Sequence, residues 1–169
     1  RIYRNPFVLI LFGPFAVYLY INRFHIVKGE SPAREMRNLY LTNVMIVAMF
    51  TGLGFWLGWM TLLKIAAPVM WFAGSAGVWI FYIQHQFEHT YWKPNNEWSY
   101  LLAAMQGSSF YRLPKVLQWF TGNIGYHHIH HLKPLIPNYQ LQKCHDENPE
   151  FQNVYTVTLF SSLQTAFLA

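Results

Sequence analysis

The chain has 169 residues, of which 53% are hydrophobic, 19% aromatic and only 11% charged. Soluble domains carry about 25% charged residues, so this composition argues against an ordinary soluble protein and favours one whose surface lies partly in lipid. The net charge is +5, and the basic residues are dispersed between apolar stretches, which indicates the anionic face of a membrane and not nucleic acid as a partner.

Three apolar stretches occupy the first half of the chain, over residues 6–21, 39–59 and 65–83. A helix needs about 20 apolar residues to cross a membrane, and the second and third stretches meet that length. The first is short and contains Gly13 and Pro14, which predict a break or kink in a helix. We therefore expect residues 1–38 to form a re-entrant or interfacial helix and a basic loop.

The positions of the basic residues predict how these helices are oriented. Residues 23–38 contain Arg23, Lys28, Arg34 and Arg37, and five more basic residues follow residue 84, whereas the connection between the two long stretches has only Lys64. Because basic loops stay on the cytoplasmic side, residues 39–84 are predicted to be a transmembrane hairpin. Its tip, near residues 58–64, faces away from the cytoplasm.

Residues 85–150 change character and are predicted to be a cytoplasmic helical cap. Prolines recur among polar and aromatic residues, and Pro114 and Pro137 stand where proline favours the start of a helix. A truncated apolar segment follows over residues 151–169. The predicted fold is one all-α, multi-pass membrane domain over residues 1–169. The short helices predicted in the cap cover about residues 97–106, 115–121, 123–132 and 138–146.

The first histidine cluster is His85-Gln86-Phe87-Glu88-His89, where the third apolar stretch ends. Side chains four residues apart lie on one face of a helix, so His85 and His89 are predicted to point the same way. We interpret both as candidate metal ligands. Glu88 could bind metal or orient a ligand.

The second cluster is His127-His128-Ile129-His130-His131. The same spacing rule places His127, His130 and His131 on one face, with His128 pointing elsewhere. Crowded imidazoles repel each other when protonated, and metal binding satisfies them in the neutral form. These three are therefore predicted metal ligands.

The residue types in the two histidine clusters limit which kinds of metal site they could form. No thiolate takes part, since Cys144 is the single cysteine, so a cysteine-rich zinc site is excluded and iron, copper or catalytic zinc is favoured. A membrane metal transporter or sensor is an alternative, but it should place ionisable residues inside its spanning helices, and residues 39–59 contain none. His25 and His145 stand alone and are interpreted as boundary residues with a solvated ring.

These motifs resemble a known family. His127-x-x-His130-His131, followed by Leu132-Lys133-Pro134, is similar to the third histidine box of the membrane fatty acid desaturases, and Gln84-His85-Gln86-Phe87-Glu88 resembles the stretch after that family's last membrane helix. The residues of these two motifs are most similar to those of bacterial acyl-lipid desaturases of the omega-6 and delta-5 kind. The resemblance covers essentially the whole chain.

The resemblance implies an oxygen-dependent enzyme with two non-haem irons (Fe²⁺) that introduces a cis double bond into a fatty acyl chain. It implies His127, His130 and His131 as ligands from the third box and His85 as the additional histidine; His89 is a less regular match. It also implies O₂ as co-substrate, a fatty acyl lipid as substrate and ferredoxin, flavodoxin or cytochrome b5 as electron donor. The implied location is a bacterial inner membrane, with the metals on the cytoplasmic face.

Two further expectations follow from the comparison with the family pattern. The first and second histidine boxes are missing from these residues, so we expect them before Arg1 in a longer protein and expect the present chain alone to be inactive. A related membrane di-iron hydroxylase or carotenoid-modifying oxygenase shares such boxes and is the alternative within the enzyme class.

Overall fold

The computed structural model of the protein describes residues 5–24 and 32–165. The chain divides into two compact units, residues 1–79 and 80–169. The predicted basic loop is therefore only partly described, and His25 lies outside the described residues.

Eight α-helices and two strands form the described part of the chain. They are α1 (Pro6–Pro14), α2 (Ala33–Leu57), α3 (Trp59–His85), α4 (Tyr100–Gln106), β1 (Phe110–Arg112), α5 (Lys115–Phe120), α6 (His127–Leu132), α7 (Leu141–Glu147), β2 (Thr156–Thr158) and α8 (Leu159–Thr165). A π-helical segment, Phe15–Ile21, follows α1, and single 3₁₀ turns cover Asn138–Gln140 and Pro149–Gln152.

In the first unit the chain stays helical through Pro14, the position of the predicted kink, and continues directly into the π-helical segment. Proline has no N–H, so it cannot bond to the carbonyl four residues earlier, which is that of Ile10. The Ser75 hydroxyl donates to the Ile10 oxygen at 2.9 Å instead. A residue of α3 thus satisfies the carbonyl that Pro14 leaves free.

Helices α2 and α3 cover the two long apolar stretches, and both are longer than predicted. Helix α2 begins at Ala33, and α3 begins at Trp59, so the predicted tip over residues 58–64 lies almost wholly within α3. Gly58 alone separates the two helices, and its φ of +83° is a conformation that favours glycine. The connection is therefore one residue long.

Both long helices have the length and composition of membrane-spanning segments. Only 6% of the most apolar window of α2 and 11% of that of α3 is buried within the structure. The core helix of a soluble protein would be mostly covered by its own chain. These exposed apolar surfaces favour contact with lipid.

The second unit is built around a small core and a two-stranded parallel sheet. Strands β1 and β2 pair in register, with Tyr111 opposite Val157. The sheet was not predicted, so the all-α prediction is wrong in this respect. The strands have three residues each, too short for an alternating pattern to show, and their pairing joins distant parts of the chain. The core cluster comprises Phe110, Tyr126, Ile129 and Leu141.

The four short helices predicted in the second unit are present as α4, α5, α6 and α7. The main difference is that α6 begins at His127 and not at about residue 123. Residues 121–125 form turns instead, with Gly122 and Asn123 at φ of +62° and +58°. Because α6 begins later than predicted, its first residue is His127, which is also the first residue of the second histidine cluster.

Candidate metal centre

Three imidazole rings meet in the second unit. The Nε2 atom of His127 lies 3.0 Å from Nε2 of His85 and 3.0 Å from Nε2 of His131. His85 is the last residue of α3, and the other two are one turn apart on α6. Their possible ligand atoms all lie within 4.8 Å of one another.

Hydrogen bonds cannot explain both short contacts of His127. A neutral imidazole nitrogen either carries one proton to donate or offers one lone pair to accept, so Nε2 of His127 can bond to one of its two neighbours only. Histidine nitrogens bind metals such as zinc at about 2.0–2.1 Å, and two such ligands at a right angle lie about 3.0 Å apart. The three nitrogens therefore fit ligation of a metal ion.

The orientation of His85 agrees with that role. Its Nδ1 lies 3.3 Å from the carbonyl oxygen of Gly107. A carbonyl only accepts, so Nδ1 carries the proton in this contact and Nε2 is bare. A bare Nε2 turned toward the cluster is the form that binds metal, and a backbone carbonyl is a usual partner for the other nitrogen.

The end of α6 is held by α4. The Tyr100 hydroxyl donates to the His131 carbonyl oxygen at 2.7 Å and lies 3.0 Å from that of Leu132. The last carbonyls of a helix have no partner within it. Tyr100 therefore satisfies the end of the helix that carries His127 and His131.

The environment keeps the rings neutral. Burial, and then the neighbouring imidazoles, lower the pKa of His127 from 6.5 to about 3. Burial lowers the pKa of His131 as well, again with help from neighbouring histidines. Because only neutral imidazole binds metal, protons compete with metal less than they would at exposed histidines.

This gives a pH prediction for binding of Co²⁺ as a probe metal. An exposed histidine site loses affinity as the pH falls through about 6.5, whereas here the affinity should fall only at a lower pH, because the pKa values of His127 and His131 are lowered in the folded protein. The unfolded chain does bind protons below about pH 6.5, so the free energy of unfolding of the metal-free protein should decrease as the pH falls below that value. Titrations at several pH values measure both; a fall in affinity centred at pH 6.5 would contradict the first.

The structure brings together three of the five predicted ligands. The ring of His130 stacks on that of His127 with centroids 5.8 Å apart, but His130 is outside the group of converging nitrogens. His89 has a φ of +64°, and its side chain is 90% exposed and lies 3.8 Å from Glu88. Metal binding by His89 and His130 stays a prediction.

Two other histidines are buried away from this group. His128 points elsewhere, as predicted, and is fully buried beside His145, with ring centroids 5.5 Å apart. Burial, and then His145, lower the pKa of His128 to about 4. The interpretation of His145 as a solvated boundary residue is wrong, since it packs on the core residue Phe110. Its place four residues after the buried Leu141 on α7 is a helical spacing that could have indicated this.

A cavity of about 260 Å³ adjoins the imidazoles. His85 and His131 form part of its wall, so a molecule held there would lie next to the candidate ligands. The rest of the lining is aromatic or small and comes mainly from α4 and the segment before it. These residues are Tyr91, Trp98, Tyr100, Ala103, Ala104 and Gly107.

Comparison with known proteins agrees with the histidine motifs. Residues 1–162 match the family model described as fatty acid desaturase. The chain belongs to the fatty acid desaturase family. Its members are membrane-associated, which accords with the exposed apolar helices α2 and α3. Its converging histidines are a group that could hold a metal ion.

Individual relatives support the same assignment. The chain is 48% identical over 165 residues to a fatty acid desaturase of Bacillus subtilis (strain 168), which covers 98% of this chain and 46% of the relative. It is 23% identical over 156 residues to the chloroplastic omega-6 fatty acid desaturase of Brassica napus, covering 87% of this chain and 35% of the relative. The chain thus spans less than half the length of these desaturases. No solved structure shows significant similarity to it.

Proposed function

We propose that this chain supplies part of a di-iron centre in an oxygen-dependent acyl-lipid desaturase that forms a cis double bond. The observation that carries the proposal is the convergence of His85, His127 and His131, with two nitrogens 3.0 Å from a third that can hydrogen-bond to one of them only. Membership of the family supports the reaction type. The activity is proposed for the longer protein, in which further histidines complete the ligand set; His89 and His130 are candidates within this chain.

The proposed reaction removes one hydrogen from each of two adjacent acyl carbons. Dioxygen takes up these two hydrogens, two electrons and two protons, and leaves as two waters. When bound, the irons supply the activation of dioxygen that this oxidation of unactivated C–H bonds requires. The electrons come from a small donor protein of the ferredoxin, flavodoxin or cytochrome b5 type.

In this proposal the residues of this chain bind the metal and exclude water from its ligands. His85 presents a bare Nε2 because Gly107 accepts from its Nδ1. The burial of His127 keeps water from its ring and keeps that ring neutral. The cavity beside His85 and His131 is otherwise lined by aromatic and small residues, which suits the methylene groups of an acyl chain.

We also propose that the metal centre lies on the cytoplasmic face of a bacterial inner membrane. The excess of basic residues after residue 84 and in residues 23–38, against Lys64 alone near the junction of α2 and α3, supports this orientation. In the full-length protein, a tag inserted after residue 30 should be cytoplasmic and a tag at residue 61 should not. Protease accessibility in oriented vesicles measures this, and the reverse pattern would overturn the orientation.

The reaction is tested by gas chromatography–mass spectrometry of lipids from a host that expresses the full-length protein or its His131→Ala variant, each with an electron donor. We expect new cis-unsaturated acyl chains with the parent and none with the variant, because the variant lacks a ligand. Hydroxylated chains would indicate the related hydroxylase instead. Unchanged lipids with both proteins, at equal protein levels and with iron bound, would contradict an acyl substrate.

A further inference from the structure

We propose that Gln84 is a positioning residue, whose side-chain amide fixes the separation between His85 and His127 and so makes a shared metal site possible. The inference rests on the proposed function. Gln84 is not one of the three converging ligand residues and acts through two of them.

Gln84 is a buried polar residue at the end of an apolar helix. It lies in the last turn of α3, after a long apolar run, and is completely buried. Burial of an amide is unfavourable unless it forms hydrogen bonds. The benefit of placing a glutamine here must therefore lie in the bonds that it forms.

Those bonds connect the two segments that supply metal ligands. The Nε2 of Gln84 donates to the carbonyl oxygen of Ile124 at 2.9 Å and lies 3.5 Å from that of Gly125. Gln84 directly precedes His85, and Gly125 is two residues before His127. One side chain thus joins the end of α3 to the turn that begins α6.

The backbone of Gln84 is fixed on its other side. Its carbonyl oxygen accepts from the Ser109 N–H at 3.0 Å, close to the Gly107 carbonyl that orients His85. The last turn of α3 is thus held by two loops at once. Metal sites tolerate deviations of only about 0.2 Å in ligand distance, so loss of this connection should be felt at the metal.

The other polar atom of the Gln84 side chain has no partner in the part of the chain that the structure describes. The Oε1 of Gln84 is buried with no hydrogen-bond partner among the described residues, which costs stability. An apolar side chain of similar size would avoid that cost. Retaining the amide is understandable if the Nε2 bonds position the ligands.

The test uses the full-length protein loaded with Co²⁺, whose visible absorption reports ligand geometry, and follows its release to a chelator. We expect Gln84→Leu to release Co²⁺ at least about tenfold faster than the parent, as for other residues that support metal ligands, and to shift the absorption spectrum. Gln84→Glu, nearly identical in shape, keeps the test decisive if Gln84→Leu fails to fold, and it should also release Co²⁺ faster.

Gln118→Leu is the matched control. Gln118 is also a buried amide and packs against the same turn, beside Gly125. Its Nε2 donates to the Tyr111 carbonyl oxygen at 3.4 Å, so it does not join that turn to the end of α3. We expect it to lower thermal stability and leave the Co²⁺ spectrum unchanged. If the folded Gln84 variants released Co²⁺ as slowly as the parent, or if Gln118→Leu changed release and spectrum as much as they do, the inference about Gln84 would be overturned. The proposed function would be unaffected. Co²⁺ binding that His127→Ala does not change would overturn the metal site and the inference with it.

Discussion

His127→Ala should reduce metal binding by the full-length protein more than any other single substitution in this chain. Its Nε2 contacts both His85 and His131 at 3.0 Å, whereas each of those two has one such contact. Loss of a residue that merely supports a ligand weakens binding by about 10- to 100-fold, so loss of this central ligand should exceed about 100-fold. Iron content per protein and Co²⁺ titration measure it, and desaturation should fall in parallel.

His89→Ala is the matched control for that experiment. It makes the same chemical change at a histidine whose side chain is 90% exposed. On the geometry of the described residues, we expect it to keep the metal content of the parent. Loss of metal from His89→Ala would place His89 among the ligands, as its spacing from His85 predicts. Retention of metal by His127→Ala would contradict the proposed centre.

Gly125→Ala should destabilise the second unit and weaken the metal site. A Cβ at this position would meet the Tyr111 carbonyl oxygen and lie 2.7 Å from Oε1 of Gln118. The turn that precedes α6 would have to move. Overpacking of this kind costs about 1–3 kcal/mol, and because the same turn receives the Gln84 hydrogen bond, metal binding should weaken too. Thermal unfolding and iron content are the measurements.

Gly52→Ala provides the comparison, since no atom lies within 4 Å of the Cβ that it would add in α2. Alanine is a better helix former than glycine, by about 0.5–1 kcal/mol, so we expect no loss of stability and no change in metal content. Equal behaviour of the two alanine variants would show that the close approach at Gly125 is unimportant.

The proposed centre depends on contacts between segments that are distant in sequence. His85 comes from the end of a helix that is long and apolar enough to span a membrane, and His127 and His131 come from a six-residue helix of the second unit. The contacts that join them are made by Gln84, Gly107 and backbone groups of short loops. The accuracy of the metal site therefore depends on loop positions as much as on the helix that carries two of the ligands.

Much of this could be predicted from the sequence, because the relevant signals are local. The lengths of the apolar stretches predicted α2 and α3, since crossing a membrane requires a minimum run of apolar residues. The four-residue spacing of His127 and His131 predicted that their rings meet, and the structure confirms it. The family was identified from the histidine motifs and is confirmed by the match over residues 1–162.

Other features were decided by contacts between residues distant in sequence. His85 and His127 are 42 residues apart, and spacing rules do not extend beyond one helix. The three-residue strands β1 and β2 gain their stability from pairing with each other, and the helix at Pro14 continues because Ser75, in another helix, satisfies Ile10. Local sequence predicts helices and the side chains that share a face. Only the tertiary structure decides which faces meet, because that depends on the packing of the whole chain.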